Sequence, residues 1–321
     1  MISIVSGRGG GGGFPDSLLA QSDGASLDWR RAFVRSYLKR DVPMFAPRMP
    51  AETIGRLWTM LAHSQASPLD QSRLASSLEV SAPAVTRYID LLVDLLLVRR
   101  LRPWIGNTGK RLVRTPKVYI RDSGLTHALL DLETWDQVLG HPVAGASWEG
   151  FVSGNLIAVA GDRRTPYFYQ TEDGAEIDLL FERDGLIEMV IEIKRSTAPT
   201  LSRGFNSARQ ALQPREAYLV HGGTESWPMA DGVTAIGLRE LMRKLADHCG
   251  RVRTASRQDA MHTIAPRHRS QRAQRCQDAT YREESGPGRA GRQKRRHRVT
   301  PWPRSACAIA SMRHWRYRDR T

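Results

Sequence analysis

The chain runs to 321 residues, with 48 Lys+Arg against 33 Asp+Glu, a formal net charge of +15, and three cysteines. That length has room for two domains with buried cores, whereas Cys249, Cys276 and Cys307 all lie late in the chain and can build neither a disulfide framework nor a C-x-x-C metal site. The chain opens without a basic segment followed by an apolar one, and its longest apolar run, "LLVDLLLV", is broken by Asp94 and too short to span a bilayer; a cytoplasmic chain with no membrane partner is expected.

After the loop "GRGGGGG", the stretch "DWRRAFVRSYLKRDVP" sets Trp29, Phe33, Tyr37 and Leu38 on one face of a helix that Pro43 is expected to end. Arg30, Arg31, Arg35, Lys39 and Arg40 fill the rest of its surface as a solvated basic face or a phosphate site, the former being the commoner use of such a face.

Residues 52 to 102 read as three helices and a strand. Ile54, Leu57, Trp58 and Leu61 mark the first helix, "SRLASSLEV" the second and "APAVTRYIDLLVDLLLV" the third. Ala75 is small enough for two helices to cross, Ser81 is placed to cap the third, and Pro83 sits in its first turn, which is helix-turn-helix spacing. "VRRLRPW" and "KRLVRTPKVYIRD" follow as short strands with a turn at Gly106 to Gly109, as a wing requires. A winged helix is therefore expected, with Thr86, Arg87 and Asp90 on the exposed face of its third helix, used either to meet a DNA groove or to pack on a neighbouring domain. "GNTGK" is not a phosphate loop, because Arg111 follows Lys110 and the earlier glycine is missing; no ATP site is expected in this chain.

From Ser147 the pattern changes to a helix "SWEGFVSGNLIAVA", three strands "PYFYQT", "AEIDLLFE" and "LIEMVIEIKRS", a helix "SRGFNSARQALQP" and a further strand "EAYLVHGG", parallel to an earlier one because a helix precedes it. Trp148, Phe151, Val152 and Leu156 face inward on the first helix, with Glu149 to one side. Alternation places Glu176, Asp178 and Leu180 on one face of the second strand and Ile177, Leu179 and Phe181 on the other. In the third, Glu188, Val190, Glu192 and Lys194 share a face. If both apolar faces meet one core, a three-residue loop Arg183-Asp184-Gly185 is required; Asp178 then lies opposite Val190 and diagonal to Glu192. Diagonal β-carbons on one face are roughly 6 to 8 Å apart. Two carboxylates over such a gap can share one Mg²⁺, which takes oxygen ligands at about 2.1 Å and keeps several waters. Asp178 and Glu192 are thus the candidate metal ligands, with Lys194 to orient the attacking water and Glu149 as a further acidic group. The plainer reading is strand-surface charge with a chance Glu-x-Lys pair.

The net charge is concentrated at the end of the chain. Residues 251 to 321 hold 19 Lys+Arg and 5 Asp+Glu, which leaves 29 basic and 28 acidic groups in residues 1 to 250. The tail has no apolar periodicity and is expected to be disordered, either as a phosphate-clamping arm or as a segment without a selected role.

The body resembles the C-terminal two thirds of uncharacterised bacterial and archaeal AAA-type ATPases that carry a restriction-endonuclease-like domain of the PD-(D/E)XK type. The stretches that carry the resemblance are "GGFPDSLLA", "WRRAFVRSYLKRDVP", "LLVRRLRPWIGNTGKRLVRTPKVYIRDSGLTHALL", "HPVAGASWEGFV", "FYQTEDGAEIDLL" and "IEIKRSTAPTLSRGF". By that resemblance Glu149, Asp178, Glu192 and Lys194 correspond to the nuclease fold's acidic and lysine positions, and the chain is a truncated member without the ATPase core. Ser153 and Gly154 depart from the pattern, which continues there with an apolar residue and an acidic one. The expected class is α/β (α+β): an ATPase remnant over 1–50, a winged helix over 51–122, a nuclease-like mixed sheet flanked by helices over 123–246, and a disordered basic tail over 247–321. The expected function is a DNA-associated, Mg²⁺-dependent nuclease-like module working with a separate ATPase chain; the alternative is a noncatalytic DNA-binding or partner-docking protein.

Overall fold

The computed structural model describes residues 12–106 and 108–247, so the expected disordered basic tail lies outside the described residues. A short helix α1 (Pro15–Leu18) leads to α2 (Asp23–Ser36), whose first turn is capped by the Ser22 hydroxyl accepting from Ala25 N at 3.1 Å. Phe14, Trp29, Phe33 and Tyr37 form a chain of ring contacts 4.8–5.5 Å apart, which is the aromatic face expected of this helix. Pro43 does not end it. A π-turn over Tyr37–Asp41 lets Val42 N donate to Tyr37 O, and the chain continues as α3 (Val42–Phe45) with Pro43 in its first turn, where a missing N–H costs little. Arg30 is also not on a solvated face. It is buried and donates to Ser26 O and, at 3.0 Å, to Gly124 O.

Helix α4 (Ala51–His63) buries Ile54, Leu57, Trp58 and Leu61. A two-residue strand β1 (Ser67–Pro68) precedes α5 (Gln71–Leu78) and α6 (Ala82–Asp94). Asp70 and Ser81 accept from Arg73 N and Ala84 N as their N-caps, and Glu79 closes α5 in the left-handed region. Strands β2 (Val98–Pro103) and β3 (Lys117–Ile120) pair antiparallel, and β1 pairs with β3. Helices α7 (Ser123–Leu129), α8 (Trp135–Gly140) and α9 (Val143–Ala160) cross to the second half.

There β4 (Thr165–Gln170), β5 (Glu176–Arg183) and β6 (Leu186–Ile193) form an antiparallel meander, and α10 (Arg203–Leu212) leads to β7 (Glu216–His221), parallel to β6 as its preceding helix implied. Strands β8 (Ser226–Pro228) and β9 (Val233–Gly237) and a helix over residues 238–247 follow. One nine-stranded sheet, ordered β1-β3-β2-β4-β5-β6-β7-β9-β8, joins the two halves, because the end of β2 pairs parallel with β4 through Arg102–Tyr167 and Pro103–Phe168. The segment after β2 is not a free wing. Leu112 bridges Thr171, Val113 N donates to Gln170 O at 2.9 Å, and Trp104 Nε1 donates to Glu182 at 2.7 Å.

Apolar cores cover both faces of the sheet. Trp148, Val152 and Leu156 of α9 pack on Phe168, Leu179, Phe181, Met189, Ile191 and Ile193. Phe205, Ala208 and Leu212 of α10 pack on Ile177, Leu180, Val190 and Leu219. Among the described residues no helix is long and apolar enough to cross a membrane.

Candidate functional site

Two irregularities decide where the candidate residues point. The β5–β6 loop has two residues, Asp184 and Gly185, at φ 54° and 76°, and not the three expected. Both positive angles suit a tight hairpin turn whose twist matches the strands. A bulge then absorbs Glu188: Glu182 faces Ile187 while Phe181 faces Met189. The expected loop ignored that second route to the same apolar registry.

The other irregularity is in β5, where Tyr167 faces Leu180 but Tyr169 faces Ile177, so Asp178 and Leu179 both lie opposite Phe168. The extra residue breaks the alternation expected for this strand. Ile177 joins Leu180 on the α10 side, Leu179 faces α9, and the Asp178 carboxyl comes under the charges of Glu149 and Lys117. Glu192 lies between Ile191 and Ile193 of the α9-side core and turns the other way, where its Oε2 accepts from Ser202 N at the start of α10, 3.3 Å away. Lys194 links the two carboxylates: against burial, its ammonium is held above the usual lysine range by Glu192 and then by Asp178.

What gathers on the α9 side is a different set. Lys117 Nζ, from β3, stands 2.8 Å from Glu176 Oε1 and 3.5 Å from Glu149 Oε1, and Tyr119 Oη donates to that same Glu149 oxygen at 2.7 Å. The Lys117 side chain is 3% exposed, and its ammonium also lies 5.3 Å from the centre of the Phe168 ring. Asp178 Oδ2 accepts from Ile193 N at 2.8 Å. Lys194 Nζ pairs with Glu192 Oε1 at 3.0 Å, and Trp148 Nε1 donates to Lys194 O, tying α9 to the end of β6.

Burial dominates the electrostatics. It pushes Asp178 up to about 8, with the charge of Glu149 adding to it against the opposing pull of Lys117. Burial raises Glu149 too, opposed mainly by Lys117. For Lys117 burial acts downward, yet Glu149, Asp178 and Glu176 outweigh it and hold the ammonium above the usual lysine range. Tyr119 is raised by burial and then by Glu149, so it remains a phenol and donor. The cluster thus drives Asp178 toward its protonated form and holds Lys117 as an ammonium.

As placed, these residues do not fit a divalent cation. Glu149 and Glu176 are engaged by Lys117, Glu192 by Lys194 and Ser202 N, and Asp178 by a backbone N–H. Among the described residues no group of three or more His, Cys, Asp or Glu side chains is placed to hold a metal ion. An ammonium provides the positive charge inside the cluster.

The DNA-facing candidates lie apart from this cluster. Arg87 is exposed on α6, while the half-buried Thr86 hydroxyl donates to Ala82 O at 3.1 Å within the helix. Asp90 is salt-bridged to Arg100 of β2.

Lys117 and Tyr119 were not among the expected site residues. Their signal was present in "KVYI", a strand buried at all four positions that contains a lysine, since a lysine is almost never fully buried without a partner.

Residues 11–136 match the family model of a domain of unknown function, DUF8612, and residues 144–241 that of a second domain of unknown function, DUF4143. The chain is similar to two uncharacterised proteins, one from Mycobacterium bovis and one from Mycobacterium tuberculosis, each 39% identical over 231 residues. Those residues are 72% of this chain and 52% of either relative, so the chain spans about half the length of the curated relatives it matches. No solved structure matches it.

Proposed function

We propose that the chain is a DNA-associated docking module that pairs a winged helix with a restriction-endonuclease-like half and does not hydrolyse phosphodiesters. The observation that carries the noncatalytic part is Lys117, whose ammonium lies among Glu149, Glu176 and Asp178. The order α4–β1–α5–α6–β2–β3 with β3 between β1 and β2 supports the winged-helix reading. The order α9–β4–β5–β6–α10–β7, antiparallel up to β6 and parallel to β7, supports the nuclease-like one. The intervening loop is committed to β4, so α6, with exposed Arg87 and neighbouring Thr86, is the element left to approach a duplex. An ATPase carried on a separate chain is the protein partner that the sequence resemblance suggests.

A hydrolytic, Mg²⁺-dependent reading is favoured by the Glu192–Lys194 pair at the end of β6. It requires Lys117 to leave the cluster. Fluorescence anisotropy of the full chain on duplex DNA, run across a salt series with Arg87→Ala alongside, tests DNA association. Loss of one phosphate contact should lower the log–log salt slope by about 0.9. An unchanged slope and affinity would remove α6 from the interface. Plasmid nicking in Mg²⁺ that disappears in Asp178→Ala would overturn the noncatalytic reading.

A further inference from the structure

The turn after α4 leaves a groove beside the sheet. Ala66 takes φ 60° and Leu69 N donates to Pro116 O at 3.0 Å, which holds the two residues of β1 against β3, and the chain then sets off into α5 from its N-cap Asp70. Between the last turn of α4, β1 and the first turn of α5 the groove has a volume of about 420 Å³. Small-molecule sites commonly span roughly 300–1,000 Å³. The floor is apolar: Leu61, Leu69, Leu74 and Val118 line it, none more than 7% exposed. Val118 alternates with Lys117 and Tyr119 along β3, so the groove lies on the other face of that strand from the carboxylate cluster. His63, Asp70 and Arg73 stand exposed at the rim. The two charges there are not equivalent. Asp70 is committed to the helix, where its Oδ1 accepts from Arg73 N at 2.9 Å and its charge is matched by the helix start. The Arg73 guanidinium, among the described residues, forms no salt bridge with a carboxylate.

We propose that this groove binds a small apolar carboxylic acid of about the size of benzoate, its apolar body on Leu61, Leu69, Leu74 and Val118 and its carboxylate on Arg73. Covering the floor removes apolar surface from water, and a guanidinium fork matches the two oxygens of a carboxylate. A cationic ligand would meet Arg73 with like charge. A sugar or a bare phosphate would set polar surface against four apolar side chains. A neutral apolar molecule gains the floor and forgoes the fork. The proposal depends neither on DNA association nor on whether the carboxylate cluster is catalytic.

The test uses the full chain and reads the groove residue by residue, because a basic tail attracts any carboxylate. In an amide NMR titration with benzoate, the signals of Ser64, Ser67 and Leu69, which line the groove, should shift together with one Kd. A Kd on the order of 1 mM is what so few non-hydrogen atoms support at modest efficiency. Arg73→Met, an exposed change whose fold circular dichroism checks, should weaken that Kd by roughly three- to tenfold, the loss of one solvent-exposed charged pair. Benzyl alcohol, which keeps the ring and lacks the charge, should bind wild type no better than benzoate binds Arg73→Met. Ser67→Trp, which sets an indole into the groove from β1, should remove the response to both ligands; if it fails to fold, Arg73→Met and the alcohol still decide the matter. Equal benzoate Kd in wild type and Arg73→Met, or equal Kd for benzoate and benzyl alcohol in wild type, would overturn the assignment of a carboxylate. Benzoate shifts confined to residues outside the groove, or no shifts well above that concentration, would overturn the site itself.

Discussion

Tyr119 donates its phenolic hydrogen to the Glu149 oxygen that also faces Lys117, 2.7 Å and 3.5 Å away respectively. One carboxylate oxygen thereby joins two side chains of β3 to helix α9, across the boundary between the two halves of the sequence. The pairing explains how a lysine and a glutamate survive in a strand–helix interface that is otherwise apolar: each supplies what burial takes from the other.

Removing one member should expose that debt. Lys117→Met leaves Glu149 buried beside Asp178 and Glu176 without a counter-charge, and a loss of about 3–5 kcal/mol in urea unfolding is expected. Adding Glu149→Gln should restore part of it. A double variant whose loss equals the sum of the two single losses would show that the pair is not coupled.

Asp178 sets a pH dependence. Its folded pKa, about 8, lies above the ordinary value of about 3.9. The folded state therefore holds the proton more tightly, and this contribution to stability is complete below about pH 4 and is lost as pH rises to about 8. Asp178→Asn keeps an acceptor for Ile193 N and has no proton to lose. Its urea midpoint should vary less than wild type between those two pH values, and a wild-type-like slope in the variant would rule Asp178 out as the cause.

The hairpin turn offers a conformational test. Gly185 has φ 76° with open space where a Cβ would go, so Gly185→Ala introduces backbone strain and no clash. A left-handed alanine costs about 1 kcal/mol, or roughly 2–4 °C of melting temperature in a domain of this size. Asp184→Gly at φ 54° should be neutral or slightly stabilising by the same reasoning. A melting temperature unmoved by Gly185→Ala would mean that this turn relaxes to another type.

Glu188, the residue absorbed by the β6 bulge, pairs through both oxygens with Arg164, whose side chain is 2% exposed. Glu188→Ala should cost about 3 kcal/mol, because the guanidinium stays buried without its carboxylate. Glu188→Gln, which keeps an acceptor, should cost less. Identical losses measured by chemical denaturation would assign the effect to packing.

Much of the architecture was legible in the chain. The cap Ser81, the apolar stripe of α4 and the order of elements from α9 to β7 all follow from spacing that local physics enforces. The strand β1 was not legible, since two residues carry no period, and neither was the continuation of α2 past Pro43, which depends on a π-turn. The pairing of Glu192 with Lys194 was readable because two residues on one strand face must be neighbours.

The amino-acid sequence by itself determined the longer helices and the strands β4 to β7, the near-neutral body with its basic end, and the acidic residues that strands β5 and β6 carry. Only the tertiary structure decided which way those residues turn and what neutralises them. Alternation is a local rule, and the bulge opposite Phe168 that redirects Asp178 exists only because β4 pairs with β5 out of step. Lys117 comes from 32 residues before Glu149 and 59 before Glu176, so its charge enters the cluster through the fold alone.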